Sequence, residues 1–129
     1  MSDRKPTVLV VDDEAINRIV LQGLIERLDV PCIIAAGGEE AINIVSSDEI
    51  DLVFLDLQMP PPDGYETARR IREIRGDTIA LYAITAYKPE EVRERTTSEG
   101  FTGVVQKPLN TDLLKQILRI NPGPERPDA

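Results

Sequence analysis

Ile50-Asp51-Leu52-Val53-Phe54-Leu55-Asp56-Leu57-Gln58-Met59-Pro60-Pro61-Pro62-Asp63-Gly64 is the stretch on which the fold turns. Leu52 to Leu55 is a short apolar run of the kind that forms a strand buried on both faces, as in a parallel sheet. The run ends in a lone carboxylate, Asp56. Pro60, Pro61 and Pro62 carry no backbone donor and forbid further regular pairing, and Asp63-Gly64 reads as a turn into a helix. A charge at the carboxyl end of a buried parallel strand stands where open α/β folds hold their ligands. Taken alone, Asp56 is better explained as a residue that caps the strand as the chain returns to water. The flanking sequence decides between the two.

Upstream, Thr7-Val8-Leu9-Val10-Val11 is another continuous β-rich run, and it stops at Asp12-Asp13-Glu14. Ile16, Ile19, Val20, Leu24, Ile25 and Leu28 then recur at helical spacing, with Asn17, Arg18, Glu26 and Arg27 on the polar side and Gly23 a weak point. Pro31 breaks that helix, and Cys32 to Ala36 reads as a second strand. Gly37-Gly38 turns into a short helix carrying Ala41, Ile42 and Val45. After Asp63-Gly64 a third helix is expected to turn Tyr65, Ala68, Ile71 and Ile74 inward, with Gly76 as its terminator. Thr78 to Ile84 reads as the fourth strand.

Pro89, Glu90 and Glu91 suit the first turn of a fourth helix running to about Ser98. Val92 is its only large apolar residue, so this helix is expected to be the least firmly docked. Gly103 to Gln106 is a short fifth strand ending at Lys107-Pro108. Asn110 or Thr111 caps a last helix with Leu113, Leu114, Ile117 and Leu118 inward. Residues 1–120 thus read as one domain, and 121–129, with three prolines, as a linker or tail. Strands alternating with helices five times imply a doubly wound five-stranded parallel sheet. The order 2-1-3-4-5, flavodoxin-like, suits that number of strands.

Composition narrows the chemistry. A formal charge of −8 opposes a phosphate backbone, so direct nucleic-acid binding is not expected. No apolar run approaches the roughly 20 residues of a membrane span, and the polar N-terminus lacks a signal-peptide core, so a cytoplasmic address and no membrane contact are expected. Cys32, the only cysteine, sits beside Ile33 and Ile34 as a small buried hydrophobe. Histidine is absent, which removes Ser-His-Asp and Cys-His mechanisms and most zinc sites.

In the expected sheet, four strand ends deliver Asp12, Asp13 and Glu14; Asp56; Thr85; and Lys107 to one edge. Each has an ordinary explanation in isolation. Acidic pairs are often solvated, a threonine often caps a turn, and a lysine before proline is usually on the surface. Their convergence from separate strands is the reading that favours a site. Crowded carboxylates repel unless a cation neutralises them, and hard oxygen ligands without His or Cys suit Mg²⁺. Asp13 and Asp56 are the expected direct ligands, the Gln58 backbone carbonyl a further one, and Asp12 acts through water. A carboxylate beside Mg²⁺ can attack phosphorus to give an aspartyl phosphate, with Lys107 and the Thr85 hydroxyl sharing the transferring charge.

Val8-Leu9-Val10-Val11-Asp12-Asp13, Leu55-Asp56-Leu57-Gln58-Met59-Pro60, Asp63-Gly64, Thr85-Ala86 and Lys107-Pro108 together resemble the receiver domain of two-component response regulators, over about positions 7 to 119. The resemblance implies Asp56 as phosphoacceptor from a partner's phosphohistidine, and Asp12 and Asp13 as the acidic metal pair. It implies Lys107 as phosphoryl partner, Thr85 as switch hydroxyl and a cis Lys107-Pro108 bond. Mg²⁺ is the implied cofactor, with Mn²⁺ a substitute. Val104 stands three residues before the lysine, where the family usually has an aromatic, so an inward-swinging ring is not implied. Movement of the loop after the fourth strand and of the fourth helix stays open. Gln58 and Tyr87 are large side chains two positions beyond Asp56 and Thr85. Tyr87 either packs on the surface or shields an acyl phosphate from water.

Gln58-Met59-Pro60 and Asn17-Arg18 resemble receivers of hybrid sensor histidine kinases, which pass phosphate to a histidine phosphotransfer protein. The implied partners are then a sensor kinase and such a phosphotransfer protein. The domain itself would catalyse only its own phosphorylation and dephosphorylation. The alternative is a stand-alone regulator acting through the face from the loop after the fourth strand to the last helix. A haloacid dehalogenase-type phosphatase would need a second acid at position 58, where Gln58 cannot shuttle a proton. A dinucleotide module would place phosphate against Asp12-Asp13-Glu14, which repel it. A degenerate receiver is at odds with the intact set of five residues.

Overall fold

The structure is a computed structural model and describes residues 5–124. Strands β1 (Val8–Val11), β2 (Cys32–Ala35), β3 (Leu52–Asp56), β4 (Ala80–Thr85) and β5 (Gly103–Gln106) alternate with helices α1 (Ala15–Glu26), α2 (Gly38–Ser47), α3 (Gly64–Arg75), α4 (Pro89–Ser98) and α5 (Thr111–Ile120). The five strands are all parallel, in the order β2-β1-β3-β4-β5, as the sequence implies. Alternation along the central strands divides the core. Leu9, Val11, Val53, Leu55, Leu81 and Ala83 pack with Ala41 and Val45 of α2 and Ala68 and Ile71 of α3. Val8, Val10, Leu52, Phe54 and Ile84 pack on the other face with Leu21 and Ile25 of α1 and Leu114 and Ile117 of α5. Burial on both faces explains the unbroken apolar runs.

Local signals set the helix ends. Asp63 caps α3 by accepting from the Glu66 N–H at 2.9 Å, and Asn110 caps α5 by accepting from the Leu113 N–H at 2.8 Å. The Glu91 carboxylate accepts from the Lys88 N–H at 2.9 Å, closing the first turn of α4. Gly76, at φ +59°, ends α3 in a conformation that an L side chain resists. A single 3₁₀ turn, Gly76–Thr78, follows, so β4 begins at Ala80 instead of Thr78.

Three expectations are corrected. Ile16, Ile19 and Val20 do not join the core but lie 75, 63 and 56% exposed on α1. At about 100° per residue they centre on an arc on the far side of the helix from Leu21 and Ile25, with Val20 at its edge about 40° from Leu24. Leu21, Leu24, Ile25 and Leu28 pack toward the sheet. Ile74 is also exposed, because each three-residue step from Tyr65 through Ala68 and Ile71 drifts about 60° around the helix. The first part of the expected tail is docked: Asn121 Nδ2 donates to the Tyr82 hydroxyl at 3.0 Å and to the Ile117 carbonyl at 2.9 Å, and Gly123 is buried. Residues 125–129 of that tail, and residues 1–4, lie outside the described residues.

Helix α4 buries only Thr96 completely, with Val92 half-buried against the core. Its remaining hold is polar: the Arg95 guanidinium lies 3.7 Å over the Tyr65 ring, and Glu99 pairs with Arg69 at 2.9 Å. Among the described residues no helix is long and apolar enough to cross a membrane.

Burial pushes the Cys32 thiol up to about 12, with Glu26 adding to the rise. Alkylation of native Cys32 by iodoacetamide near pH 8 is therefore expected to run slower than in the urea-unfolded chain by about three orders of magnitude. Equal rates in the two states would contradict a half-buried, neutral thiol.

Candidate functional site

The carboxyl ends of β1, β3, β4 and β5 meet at one edge, and all five site residues expected from the sequence lie there. Asp56 closes β3 opposite Ile84 and is buried, as are Asp12 just beyond β1 and Thr85 at the end of β4. Asp13 is exposed beside them. Carboxylate oxygens of Asp12, Asp13 and Asp56 all fall within 4.8 Å of one another, so the three could hold a divalent cation. An oxygen-only donor set of this kind suits a hard ion.

Lys107 Nζ lies between the two buried acids, donating to Asp56 Oδ2 at 3.2 Å and to Asp12 Oδ2 at 3.4 Å. Backbone donors hold the other oxygens. The Gln58 N–H reaches Asp56 Oδ1 at 3.1 Å, and the Glu14 N–H reaches Asp12 Oδ1 at 2.9 Å. The Lys107-Pro108 bond is cis, as the resemblance implies, and so is Pro61-Pro62. The Lys107 N–H donates to the Thr85 carbonyl at 2.7 Å, which ties the end of β5 to that of β4. Thr85 Oγ1 accepts from the Tyr87 N–H at 3.1 Å.

Sequence reasoning underweighted two supporting residues. The Arg18 guanidinium donates to the Asp12 carbonyl at 2.8 Å, fixing the turn that carries the acidic pair from the side of α1. Gly64 packs its Cα against the backbone of Asp56 and Leu57, and its N–H donates to the Leu57 carbonyl at 3.2 Å. A Cβ at Gly64 would overlap those backbone atoms, so the Asp-Gly pair is a close-approach requirement as well as a turn signal.

Electrostatics follow from burial. Desolvation lifts the Asp56 carboxyl above the ordinary carboxylate range. The Gln58 N–H and the Lys107 ammonium draw it part of the way back, while Asp12 adds to the rise. For Lys107, desolvation alone would lower its pKa, but the two carboxylates outweigh it and hold the ammonium above its usual value.

Comparison with protein-family models matches residues 8–119 to the response regulator receiver domain. The chain belongs to that family. The sensor histidine kinase RcsC of Salmonella typhimurium is 37% identical over 113 residues, which is 88% of this chain and 12% of that protein. The chain thus spans about an eighth of that relative's length. Among solved structures, one similar protein is a Saccharomyces cerevisiae receiver domain of a response regulator, crystallised with the histidine phosphotransfer protein upstream of it. The match has a TM-score of 0.85 at 25% identity, covering 95% of this chain and 92% of that one. Another is the receiver domain of a Pseudomonas aeruginosa sensor histidine kinase with a magnesium ion coordinated in its active-site cleft. Its TM-score is 0.82 at 25% identity, covering 91% and 97%. With the family shown, the haloacid dehalogenase reading falls away.

The raised Asp56 carboxyl makes a signed forecast. Between the ordinary carboxylate pKa of about 3.9 and the raised native value, the folded chain keeps a proton that the unfolded chain has lost. Metal-free stability therefore falls as pH rises through that window. The Lys107 contribution is fully present below about pH 10.4 and does not vary there. Urea midpoints measured in a chelator from about pH 4 to about pH 8 are expected to show this fall in the parent and to lose it in Asp56→Asn. Parallel profiles for the two proteins would contradict it.

Proposed function

We propose that this receiver domain accepts a phosphoryl group from a partner's phosphohistidine onto Asp56. It then hands the group to a histidine phosphotransfer protein, as the receiver of a hybrid sensor kinase. The observation that carries the reading is one ammonium, Lys107, shared by two buried carboxylates beside an exposed third. Mg²⁺, for which Mn²⁺ can substitute, supplies positive charge to the transferring phosphoryl oxygens when bound. Asp13, Asp56 and the Gln58 carbonyl would hold it, with Asp12 acting through water.

An oxygen of Asp56 attacks phosphorus, the imidazole N–P bond breaks with its electron pair leaving on nitrogen, and an acyl phosphate results. Lys107 already points its ammonium at Asp56, so it needs no reorganisation to meet a phosphoryl oxygen. The Thr85 hydroxyl donates to another oxygen, and Thr85 with Val104 forms the switch position. Val104 is half-buried against the core and brings no aromatic ring, so the response runs through the loop after β4 and the shallowly buried α4.

Partners are a sensor kinase and a phosphotransfer protein, and the charge of −8 disfavours nucleic acid. The identity to RcsC and the likeness to a receiver captured with a phosphotransfer protein favour relay over stand-alone control of a partner through the face from the β4–α4 loop to α5. Val20 of α1 lines a groove of about 150 Å³ with Asn17, Lys107, Pro108 and Leu109, and Ile16 and Ile19 are exposed on the same helix. An apolar rim so close to Asp56 gives a docking phosphotransfer helix something to bury.

Intact mass after treatment with a small phosphodonor and Mg²⁺ is expected to show one added phosphoryl group, absent in Asp56→Asn and absent with a chelator. Uptake by Asp56→Asn at the parent level would exclude Asp56 as acceptor. Ile16→Asp with Ile19→Asp is expected to slow exchange with a cognate phosphotransfer protein by about tenfold or more while leaving small-donor loading as in the parent. Exchange at the parent rate would remove α1 from the docking surface and favour the stand-alone reading.

A further inference from the structure

The three acids of the site are not held equally. Asp12 has both carboxylate oxygens engaged, Oδ1 by the Glu14 N–H at 2.9 Å and Oδ2 by Lys107 Nζ at 3.4 Å. Asp56 is held in the same way, by the Gln58 N–H at 3.1 Å and Lys107 Nζ at 3.2 Å. Asp13 is exposed, and among the described residues its carboxylate has no hydrogen-bond or ion-pair partner. Only its backbone can aim it at the cluster that it forms with Asp12 and Asp56.

That backbone is gripped by one residue of α1. The Asp12 carbonyl and the Asp13 N–H belong to a single planar peptide unit, so holding the carbonyl holds the plane from which the Asp13 side chain departs. Arg18 Nη1 donates to that carbonyl at 2.8 Å, and the Arg18 N–H donates to the Glu14 carbonyl at 3.1 Å. Residue 18 thus ties the turn on both sides of Asp13. The guanidinium contact is partly buried, where water competes less for the carbonyl, whereas the neighbouring tie from Asn17 to the Glu14 carboxylate is exposed.

We propose, resting on the metal-dependent phosphoacceptor reading above, that Arg18 is a positioning residue for the divalent cation, presetting the Asp13 carboxylate even though its own charge repels the ion. The two effects have opposite signs. A guanidinium near the cluster opposes a cation by charge, and it assists binding by sparing Asp13 the loss of conformational freedom. The charge effect acts across a rim that faces water at Asp13 and is screened by salt. Positioning is local and survives salt. Groups that orient metal ligands without touching the ion contribute about ten- to a hundredfold to affinity, and one contact acting through the backbone falls at the lower end. Positioning therefore outweighs repulsion at physiological ionic strength.

The test is direct binding of Mg²⁺ to the whole chain, followed by titration calorimetry at about 0.15 M salt. Arg18→Met keeps the length of the side chain and removes donor and charge together, and it is expected to weaken binding about tenfold. Arg18→Lys keeps one charged donor for a contact that uses one, and it is expected to bind within about threefold of the parent. In an Asp13→Asn background Arg18→Met is expected to change the affinity by less than about twofold, because the carboxylate it presets is gone. Urea midpoints check that each variant is folded. Arg18→Gln, neutral and too short to reach the carbonyl, replaces the methionine variant with the same expectation if that one does not fold. Tighter binding by Arg18→Met would show that repulsion dominates and would overturn the assignment, as would unchanged binding. A tenfold loss that persists in the Asp13→Asn background would overturn it equally, since a general distortion of the turn would then carry the effect. A parent chain that binds no Mg²⁺ would overturn the metal reading and the role of Arg18 with it, an outcome distinct from parent binding with unaltered variants.

Discussion

A single ammonium placed between two buried carboxylates is the constraint around which this molecule is built. Lys107 reaches Asp56 and Asp12 across strands that are not neighbours, since β5 lies beyond β4 and β3 on the way to β1. That reach is possible only because every strand points the same way and ends at the same level. One positive charge cannot neutralise two buried negative ones and an exposed third. The site is therefore poised to gain from a divalent cation, and a phosphoryl group adds to the demand. A chain without histidine can accept phosphoryl chemistry at such a place because carboxylates, an ammonium and a hard ion suffice for it.

The two sides of the site are held differently. On the side of β1 and β3, Asp12 and Asp56 rest on backbone donors, on Arg18 and on the close approach of Gly64. On the side of β4, the loop after Thr85 leads into a helix that buries one threonine fully and keeps its place through Arg95, Tyr65, Arg69 and Glu99. Surface pairs of this kind contribute little each and weaken with salt. The rigid half keeps the acids in position, and the looser half is the part that can respond to them.

Most of the fold was legible because burial on two faces writes itself as unbroken runs such as Leu9 to Val11 and Leu52 to Leu55, and because Asp63, Gly76 and Asn110 mark helix ends by mechanism. The acidic cluster was legible through topology: parallel strands make residues distant in the chain neighbours in space. What a hydrophobic pattern cannot reveal is which part of a wide apolar arc meets the sheet. Ile16, Ile19 and Val20 are as apolar as Leu21 and Ile25, and only packing separates the two groups. The docking of Asn121 and Gly123 escaped for a related reason. Polar and glycine-proline composition reads as solvent-bound, whereas the Tyr82 hydroxyl, projecting from β4, gives Asn121 a specific partner.

Gly123 lies so close to the Lys5 backbone that a side chain there would overlap it, and Lys5 Nζ in turn holds the Leu28 carbonyl at 3.0 Å. Both ends of the described chain are thereby moored together at the amino-terminal rim of the sheet, the pole opposite Asp56. A tether joined at either end pulls from a single point and sweeps its arc on the far hemisphere. A segment joined at either end would leave the domain on the side away from Asp56 and would not cross the mouth of the site.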